Sequence, residues 1–240
     1  MDGRDRARLF LSLHCQLDNA RIRAPEIRPK AVCVTDQYEE KLIEHWVGCD
    51  AAHDVAHIRR VWKNAMAIVS GDDLSVDHEV LRPAVVFHDL VNLPKDDPER
   101  ALASQKSADA AMPILRGLGF DEAKLPAVAH AIKAHSFSAG IQPRSLEARV
   151  LRDADRLDAL GAIGLARMLY VGAALGRPLY DQDDPLATQR PLDDQVWSID
   201  HFETKLFGLA DGMLTSTGRI LAQERTTFLR EFRAQLLREL

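Results

Sequence analysis

The sequence is poor in aromatic residues and cysteines, and it has no excess of basic residues. Aromatic side chains make up 6% of its 240 residues. The three cysteines, Cys15, Cys33 and Cys49, all lie near the N-terminus and form no CxxC pair. This distribution excludes a disulfide framework and a cysteine-based zinc site. We therefore expect reduced thiols and a cytoplasmic protein.

Acidic residues outnumber basic ones, 36 to 31, which gives a formal net charge of −5. Proteins that bind nucleic-acid polymers or anionic membrane surfaces normally carry a basic surplus, so this balance disfavours both partners. Long apolar runs are also absent. Arg167 interrupts the longest stretch, Ala159 to Gly176, before it reaches the roughly 18 residues of a membrane span. The run LFLSL near the N-terminus is too short for a signal peptide.

Helical periodicity covers the chain from Gln37 onwards, and no segment alternates with the period of a strand. The predicted fold class is all-α, with residues 1–36 as an N-terminal extension and residues 37–240 as a single domain. The longest helical pattern is LEARVLRDADRLDALGAIGLARMLYVGAALG, and an amphipathic helix closes the chain from Gly218 to Leu240. Between them, GRPLYDQDDPLATQRPLDDQ predicts a long loop, and loops of that length are usually functional or mobile.

His57 and the pair His88–Asp89 are polar residues within apolar helical patterns. His57 lies on the same stripe as Val61 and Ala65, which faces the core. Asp89 has apolar neighbours, and a buried carboxylate must be paired or bound to a cation. A divalent metal explains both polar sites, since imidazole and carboxylate are good ligands for such ions. A core histidine and an internal His–Asp hydrogen bond are the alternatives.

Three aspartates, Asp153, Asp155 and Asp158, occur together in the segment RDADRLDALGAIG. Asp155 and Asp158 are three residues apart and share a helix face, whereas Asp153 points elsewhere. Periodicity alone does not identify which of them turns inward. A solvated acidic face is the alternative, although the flanking leucines count against it.

His130 and His135 lie between the His88–Asp89 pair and these aspartates, in the segment HAIKAHSFS. On a straight helix their five-residue separation places them about 140° apart, so they need not share a target. Each is expected to support a metal ligand or to contact a substrate phosphate, and ligation of a second metal is the alternative.

The order of His57, His88–Asp89 and Asp155 resembles the H…HD…D signature of the HD-domain superfamily of metal-dependent phosphohydrolases. Six ordered segments are similar to its YedJ-type branch and extend the resemblance from Gln37 to the C-terminus: AAHDVAHIRRVW, FHDLVNLPK, HAIKAHSFS, DADRLDALGAIGLAR, RPLDD and DHFETKL. The resemblance implies an HD-type helical bundle whose metal ligands are His57, His88, Asp89 and Asp155. It assigns to Asp153 and Asp158 the orientation of ligands or bound water, and leaves the role of His53 open.

The resemblance also implies a reaction. A divalent cation (Mn, Mg, Co, Ni or Fe) lowers the pKa of a bound water, and this water attacks phosphorus. Asp89 is expected to act as ligand and general base, and His130 or His135 as proton donor. The positive charges of Lys95, Arg60 and Arg156 are expected to bind an anionic substrate. Arg60 and Arg156 can instead neutralise neighbouring aspartates. The expected substrate is a small phosphorylated metabolite, with a nucleotide favoured.

Two other functions fit the same residues. Some HD-superfamily members are dinuclear iron oxygenases, in which additional histidines hold a second metal, and His130 and His135 lie in the corresponding interval. A non-catalytic nucleotide-binding sensor is the third hypothesis, disfavoured because all four ligand positions are filled. A homo-oligomer is compatible with the amphipathic C-terminal helix.

Overall fold

A computed structural model describes residues 37–47, 54–93 and 97–240. Residues 1–36, predicted as an N-terminal extension, lie outside these ranges, as do His53 and Lys95, so the predicted domain boundary and the roles of both side chains stay predictions. The described ranges contain nine α-helices: α1 Gln37–His45, α2 Val55–Gly71, α3 His78–Phe87, α4 Ala103–Gly117, α5 Leu125–His135, α6 Leu146–Asp158, α7 Gly161–Ala174, α8 His201–Thr204 and α9 Ser216–Arg238. Within them the only β pairing is the isolated bridge between Val47 and Val91. The predicted all-α fold class is confirmed.

Polar side chains at the expected positions fix where several helices begin. The carboxylate of Asp54 accepts a hydrogen bond from the backbone N–H of His57 at 2.8 Å and caps α2. Ser145 caps α6 and Thr215 caps α9 in the same way. Such caps satisfy N–H groups that have no partner inside the helix. The cap on α2 has a functional consequence, since it places His57 in the first turn of that helix.

The centre of the fold is formed by α2, α3, α5 and α6, which pack their apolar faces together. On α2 the buried stripe consists of Ile58, Val61, Ala65 and Ile68, as its periodicity predicts. Helix α3 is buried on most sides, from Val80 to Phe87 with the exception of Arg82. These helices bring their ends to one side of the core, where the polar residues described below converge.

The longest helical pattern is not one helix. Helix α6 ends at Asp158 and α7 begins at Gly161, with an angle of 65° between them. Gly161 has a φ of +68°, a left-handed conformation that glycine adopts without the steric penalty of a Cβ atom. The turn therefore stops α6 immediately after its last aspartate. Among the described helices none is by itself long and apolar enough to cross a membrane, and only the bent pair α6–α7 meets that requirement when taken together.

The predicted long loop lies between α7 and α8 and is ordered by aspartate side chains. Asp184 accepts hydrogen bonds from the backbone N–H groups of Thr188, Gln189 and Arg190. The guanidinium group of Arg190 binds both carboxylate oxygens of the buried Asp200, at 2.6 and 3.0 Å. These contacts attach the loop to the start of α8 and so fix one wall of the cavity described below.

Candidate metal centre

Four predicted ligands come together from the ends of three helices. His57 lies in the first turn of α2, His88 and Asp89 directly follow α3, and Asp155 lies in the last turn of α6. The two imidazoles are fully buried, whereas the side chains of Asp89 and Asp155 are 21% and 28% exposed. The histidines thus form the buried side of the centre, and the carboxylates lie on the side that solvent reaches.

The donor atoms of these four side chains surround a common point. His57 Nε2 lies 3.3 Å from His88 Nε2, 3.6 Å from Asp155 Oδ1 and 3.8 Å from Asp89 Oδ2. His88 Nε2 lies 3.4 Å from Asp89 Oδ2 and 3.7 Å from Asp155 Oδ1. Ligands bound to one divalent ion at about 2.1 Å are separated by roughly 3 to 3.5 Å, so only small shifts would be needed for these atoms to share an ion.

Hydrogen bonds orient the imidazole rings. The Nδ1–H of His57 donates to Asp158 Oδ2 at 2.7 Å, and that of His88 donates to the backbone carbonyl of Val85 at 2.8 Å. In a neutral imidazole the other nitrogen then carries a lone pair, which in both rings points into the centre. Two buried lone pairs 3.3 Å apart need a proton or a metal cation between them. The residues present therefore fit a bound divalent metal.

The charges of the centre lead to the same conclusion. Burial by itself lowers the pKa of His88, but the Asp89 and Asp155 carboxylates outweigh it and hold that pKa well above the usual value. Burial would raise the pKa of Asp89, yet His88 and His135 lower it well below its ordinary range. The pKa of Asp155 is lowered by the neighbouring histidines, again against the effect of burial. Together these side chains stabilise a positive charge, so a metal ion competes with a proton for the same site.

Asp158 holds His57 in place and is itself held by two arginines. It is 2% exposed and accepts hydrogen bonds from Arg60 Nε at 2.7 Å and Arg167 Nη1 at 2.8 Å, in addition to the one from His57. Among the predicted roles of Arg60, this geometry favours neutralisation of Asp158 over contact with substrate. A carboxylate behind a ligating histidine fixes its ring and increases its basicity.

Asp153 has a different role from the other two aspartates of its segment. Its carboxylate accepts hydrogen bonds from the backbone N–H of Leu214 at 2.9 Å and from the N–H and hydroxyl of Thr215 at 2.8 and 2.7 Å. These contacts fix the start of α9. The structure does not bring Asp153 to the metal centre, so the expectation that it orients ligands there is not supported.

The two histidines of α5 contact different parts of the molecule. His135 Nε2 lies 3.5 Å from Asp89 Oδ1, and its Nδ1–H donates to the carbonyl of Ile132 at 2.7 Å. His88, Asp89 and His135 thus form a second group of possible ligands beside the first. His130 is not brought to the centre, because its Nε2 accepts a hydrogen bond from the backbone N–H of Arg144. The proton-donor role predicted for His130 has no geometric support.

A cavity of about 140 Å³ is connected to the centre through Arg167, which lines it and binds Asp158 at 2.8 Å. Its wall combines apolar side chains with Asp194, which contacts His201 at 2.6 Å, and with five basic side chains: Arg100, Arg167, Arg177, His201 and Lys205. Lys205 interacts electrostatically with Asp155, and burial lowers the pKa of its ammonium group. No role was predicted for His201 or Lys205, although both lie in the segment DHFETKL. Their spacing relates them to none of the predicted ligands by a helical period. The charged residues of DHFETKL, after the long loop, were the one feature of the sequence that could have indicated a role.

Arg156, predicted to bind substrate, lies beside the centre. Its Nη1 donates to the carbonyl of Gly212 at 2.8 Å, and its guanidinium carbon lies 5.5 Å from the centre of the Phe137 ring. No carboxylate in the described part of the chain forms an ion pair with it, so it does not neutralise Asp158 or Asp89 directly.

Comparisons with known proteins agree with this geometry. The family model for the HD domain matches residues 54–160, the part of the chain that contains all four predicted ligands. The YpgQ protein of Bacillus subtilis is 32% identical over 194 residues, which cover 79% of this chain and 85% of that protein. The crystal structure of B. subtilis YpgQ in complex with ADP has a TM-score of 0.63 and 30% identity, covering 85% of this chain and 94% of YpgQ. An HD-superfamily hydrolase from Bacillus thuringiensis has a TM-score of 0.61 and 29% identity, with coverages of 84% and 97%.

Proposed function

Because the chain belongs to the HD-domain superfamily, whose solved members include proteins described as hydrolases, we propose that it is a metal-dependent phosphohydrolase. The substrate is a small phosphorylated metabolite, and a nucleotide is the favoured one. The observation that carries the proposal is the convergence of His57, His88, Asp89 and Asp155 with donor atoms 3.3–3.8 Å apart.

These four side chains would hold the divalent cation. When bound, such an ion supplies Lewis-acid charge that polarises a phosphoryl oxygen and lowers the pKa of water. The partly exposed carboxylates of Asp89 and Asp155 leave one side of the site open to substrate and water. Asp158 keeps the His57 lone pair directed at the ion through its hydrogen bond to Nδ1.

The adjoining cavity would bind the phosphate groups of the substrate. Lys205 and Arg167 lie on its wall. Lys205 interacts electrostatically with Asp155, and Arg167 forms an ion pair with Asp158. Basic side chains in a partly desolvated cavity stabilise the charge on a phosphoryl group as it is transferred. Asp89 and His135, whose facing atoms are 3.5 Å apart, are the pair that takes up the proton of water and returns one to the leaving oxygen.

One observation favours a nucleotide among phosphorylated metabolites, and a second disfavours a polymeric substrate. The related YpgQ protein of B. subtilis was crystallised in complex with ADP. The chain also carries a net charge of −5, so the basic cavity is a local feature within an acidic protein. A small anion can be attracted to such a cavity, whereas an extended polyanion is repelled by the rest of the surface.

The test is phosphate release from a panel of nucleotides and sugar phosphates, with Mn²⁺, Mg²⁺, Co²⁺ or Ni²⁺ added to metal-free protein. We expect release that requires the metal and is abolished by Asp89→Ala and Asp155→Asn. Asp153→Asn is the matched control, since this aspartate lies on the same helix as Asp155 but contacts the start of α9. Absence of metal-dependent release by the wild type, or equal release by Asp89→Ala, would overturn the proposal.

A dinuclear centre is the second candidate, and the position of His135 favours it. Asp89 directs Oδ2 towards His57 and His88, and Oδ1 towards His135, so that its carboxylate can bridge two ions. An iron oxygenase built in this way would contain two irons per chain and consume oxygen in the presence of substrate. One exchangeable divalent ion without oxygen uptake supports the hydrolase instead.

A further inference from the structure

Phe137 is the most exposed large apolar side chain in the described part of the molecule. Its exposed fraction is 78%, compared with 63% for Ile220, the next in order. Single exposed apolar residues are ordinary on protein surfaces. Phe137 differs in its surroundings, since it follows His135 by two residues and is contacted by Arg156, the residue after Asp155.

Two arginines of α6 hold this ring. The guanidinium carbon of Arg152 lies 6.0 Å from the ring centre, and that of Arg156 lies 5.5 Å from it. Arg152 and Arg156 are four residues apart and so occupy one face of α6, next to the face of Asp155. Both guanidinium carbons thus lie over the ring, within reach of attraction to its π-system, while most of the side chain remains open to solvent.

The Nε atom of Arg152 is buried and, in the part of the chain that the structure describes, lacks a hydrogen-bond partner. The residue as a whole is 9% exposed. Other arginines near the centre, Arg60 and Arg167, are paired with the carboxylate of Asp158. A buried donor without an acceptor is costly, and a bound ligand or an ordered water would satisfy it.

We propose that Phe137, Arg152 and Arg156, the stacking cluster, bind the base of the nucleotide substrate. The base stacks on the open surface of Phe137, and acceptor atoms on its edge receive hydrogen bonds from the arginines. A phosphate alone would satisfy the guanidinium groups but leave the ring in water, and a sugar alone has no π-face. A heteroaromatic ring with acceptor atoms fits both features.

This inference rests on the proposed function, and it gives that function a substrate class: nucleotides in preference to sugar phosphates. The bound phosphate would lie at the metal, beside Asp155. The base would lie up to one helical turn away along α6, where Arg152 precedes Asp155 by three residues and Arg156 directly follows it.

The test compares a nucleotide with a matching probe that lacks the base. Binding of α,β-methylene-ADP and of methylenediphosphonate to the Mn²⁺-loaded full chain is measured by calorimetry, because neither bridging P–C–P bond is hydrolysed. Stacking of one base is worth about tenfold or more in affinity, so Phe137→Leu should raise the Kd of the nucleotide analogue about tenfold. The Kd of methylenediphosphonate should stay unchanged, and Phe137→Trp should retain wild-type binding of both. Tyr170→Leu, a matched change of an exposed aromatic residue on α7, should affect neither probe.

Three outcomes would overturn the inference: unchanged nucleotide binding in Phe137→Leu, an equal loss of both probes, or a wild type that binds the two probes equally. Each leaves the proposed hydrolase standing if metal-dependent phosphate release still requires Asp89. Loss of that release would instead defeat the proposed function itself, so the two failures are distinguishable.

Discussion

Replacing Asp158 with asparagine should weaken metal binding without removing a single ligand. In the wild type the Asp158 carboxylate accepts the hydrogen bond from His57 Nδ1 and binds Arg60 and Arg167. Asparagine has one acceptor oxygen and no charge, so it cannot serve all three donors. The His57 ring loses its fixed orientation and part of its basicity. Changes of this kind typically cost 10- to 100-fold in metal affinity, and we expect the Kd for Mn²⁺ to rise by about that factor.

The same substitution should also reduce stability. Removing one partner of a buried ion pair costs about 3 to 5 kcal/mol, and we expect the lower end because the side chains of Arg60 and Arg167 keep part of their contact with water. Asp153→Asn provides the control. It removes a buried carboxylate from the same helix and should cost about 1 to 3 kcal/mol of stability through its lost hydrogen bonds to Leu214 and Thr215. It should leave the metal affinity unchanged.

The assay is calorimetric titration of Mn²⁺ into metal-free protein, at a temperature where urea denaturation shows all three proteins to be folded. A Kd for Asp158→Asn equal to that of the wild type would refute the role given to Asp158. An equal loss of affinity in Asp153→Asn would refute the separation of the two aspartates into ligand support and helix capping.

Four further outcomes are expected. Saturation with Mn²⁺ at about 100 times its Kd should stabilise the folded chain by about 2.7 kcal/mol, seen as a rise in Tm that chelation reverses. Metal affinity should fall as pH decreases, because the neighbouring carboxylates raise the pKa of His88 and its protonated form cannot bind metal; an affinity independent of pH would contradict this. Lys205→Ala should raise the KM for substrate about tenfold in steady-state kinetics, through loss of a charge-assisted hydrogen bond, and should not weaken metal binding, since it removes a positive charge near Asp155. Gly164→Ala should lower stability by about 1 to 3 kcal/mol in urea denaturation, because its Cβ would meet the backbone oxygen of Ala159 at 2.1 Å, whereas Gly208→Ala, with open space around it, is the control that should not.

Local sequence patterns predicted much of the fold. The buried stripe of α2 follows from the spacing of Val61 and Ala65 after His57, and α9 was predicted from Gly218 to Leu240 and is observed as Ser216–Arg238. The break between α6 and α7 was not predictable from periodicity, because apolar residues continue through it. It depends on the left-handed conformation of Gly161, which the identity of a single glycine does not reveal.

The aspartates of α6 show where sequence reasoning about the site reaches its limit. Periodicity placed Asp155 and Asp158 on one face but did not distinguish ligand from support. That distinction depends on the ends of other helices: the His57 ring lies against Asp158, whereas Leu214 and Thr215 lie against Asp153. The family resemblance assigned Asp155 as the ligand, and the structure brings it within 3.6 Å of His57.

The basic cavity was beyond sequence reasoning for a related reason. Lys205 and His201 follow a loop of irregular structure, and nothing in their spacing relates them to α6. Their position is set by tertiary contacts, above all the two hydrogen bonds between Arg190 and the buried Asp200. Long-range ion pairs of this kind leave no periodic signal in the chain.

One divalent ion is expected to bind between His57, His88, Asp89 and Asp155. Anomalous X-ray diffraction at the manganese edge, from crystals of the Mn²⁺-loaded protein, would locate this ion. We predict a peak at metal–ligand distance, about 2.1 Å, from His57 Nε2, His88 Nε2 and the facing oxygens of the two aspartates. A Mn²⁺-saturated crystal with no peak there, or with its strongest peak elsewhere, would contradict the account.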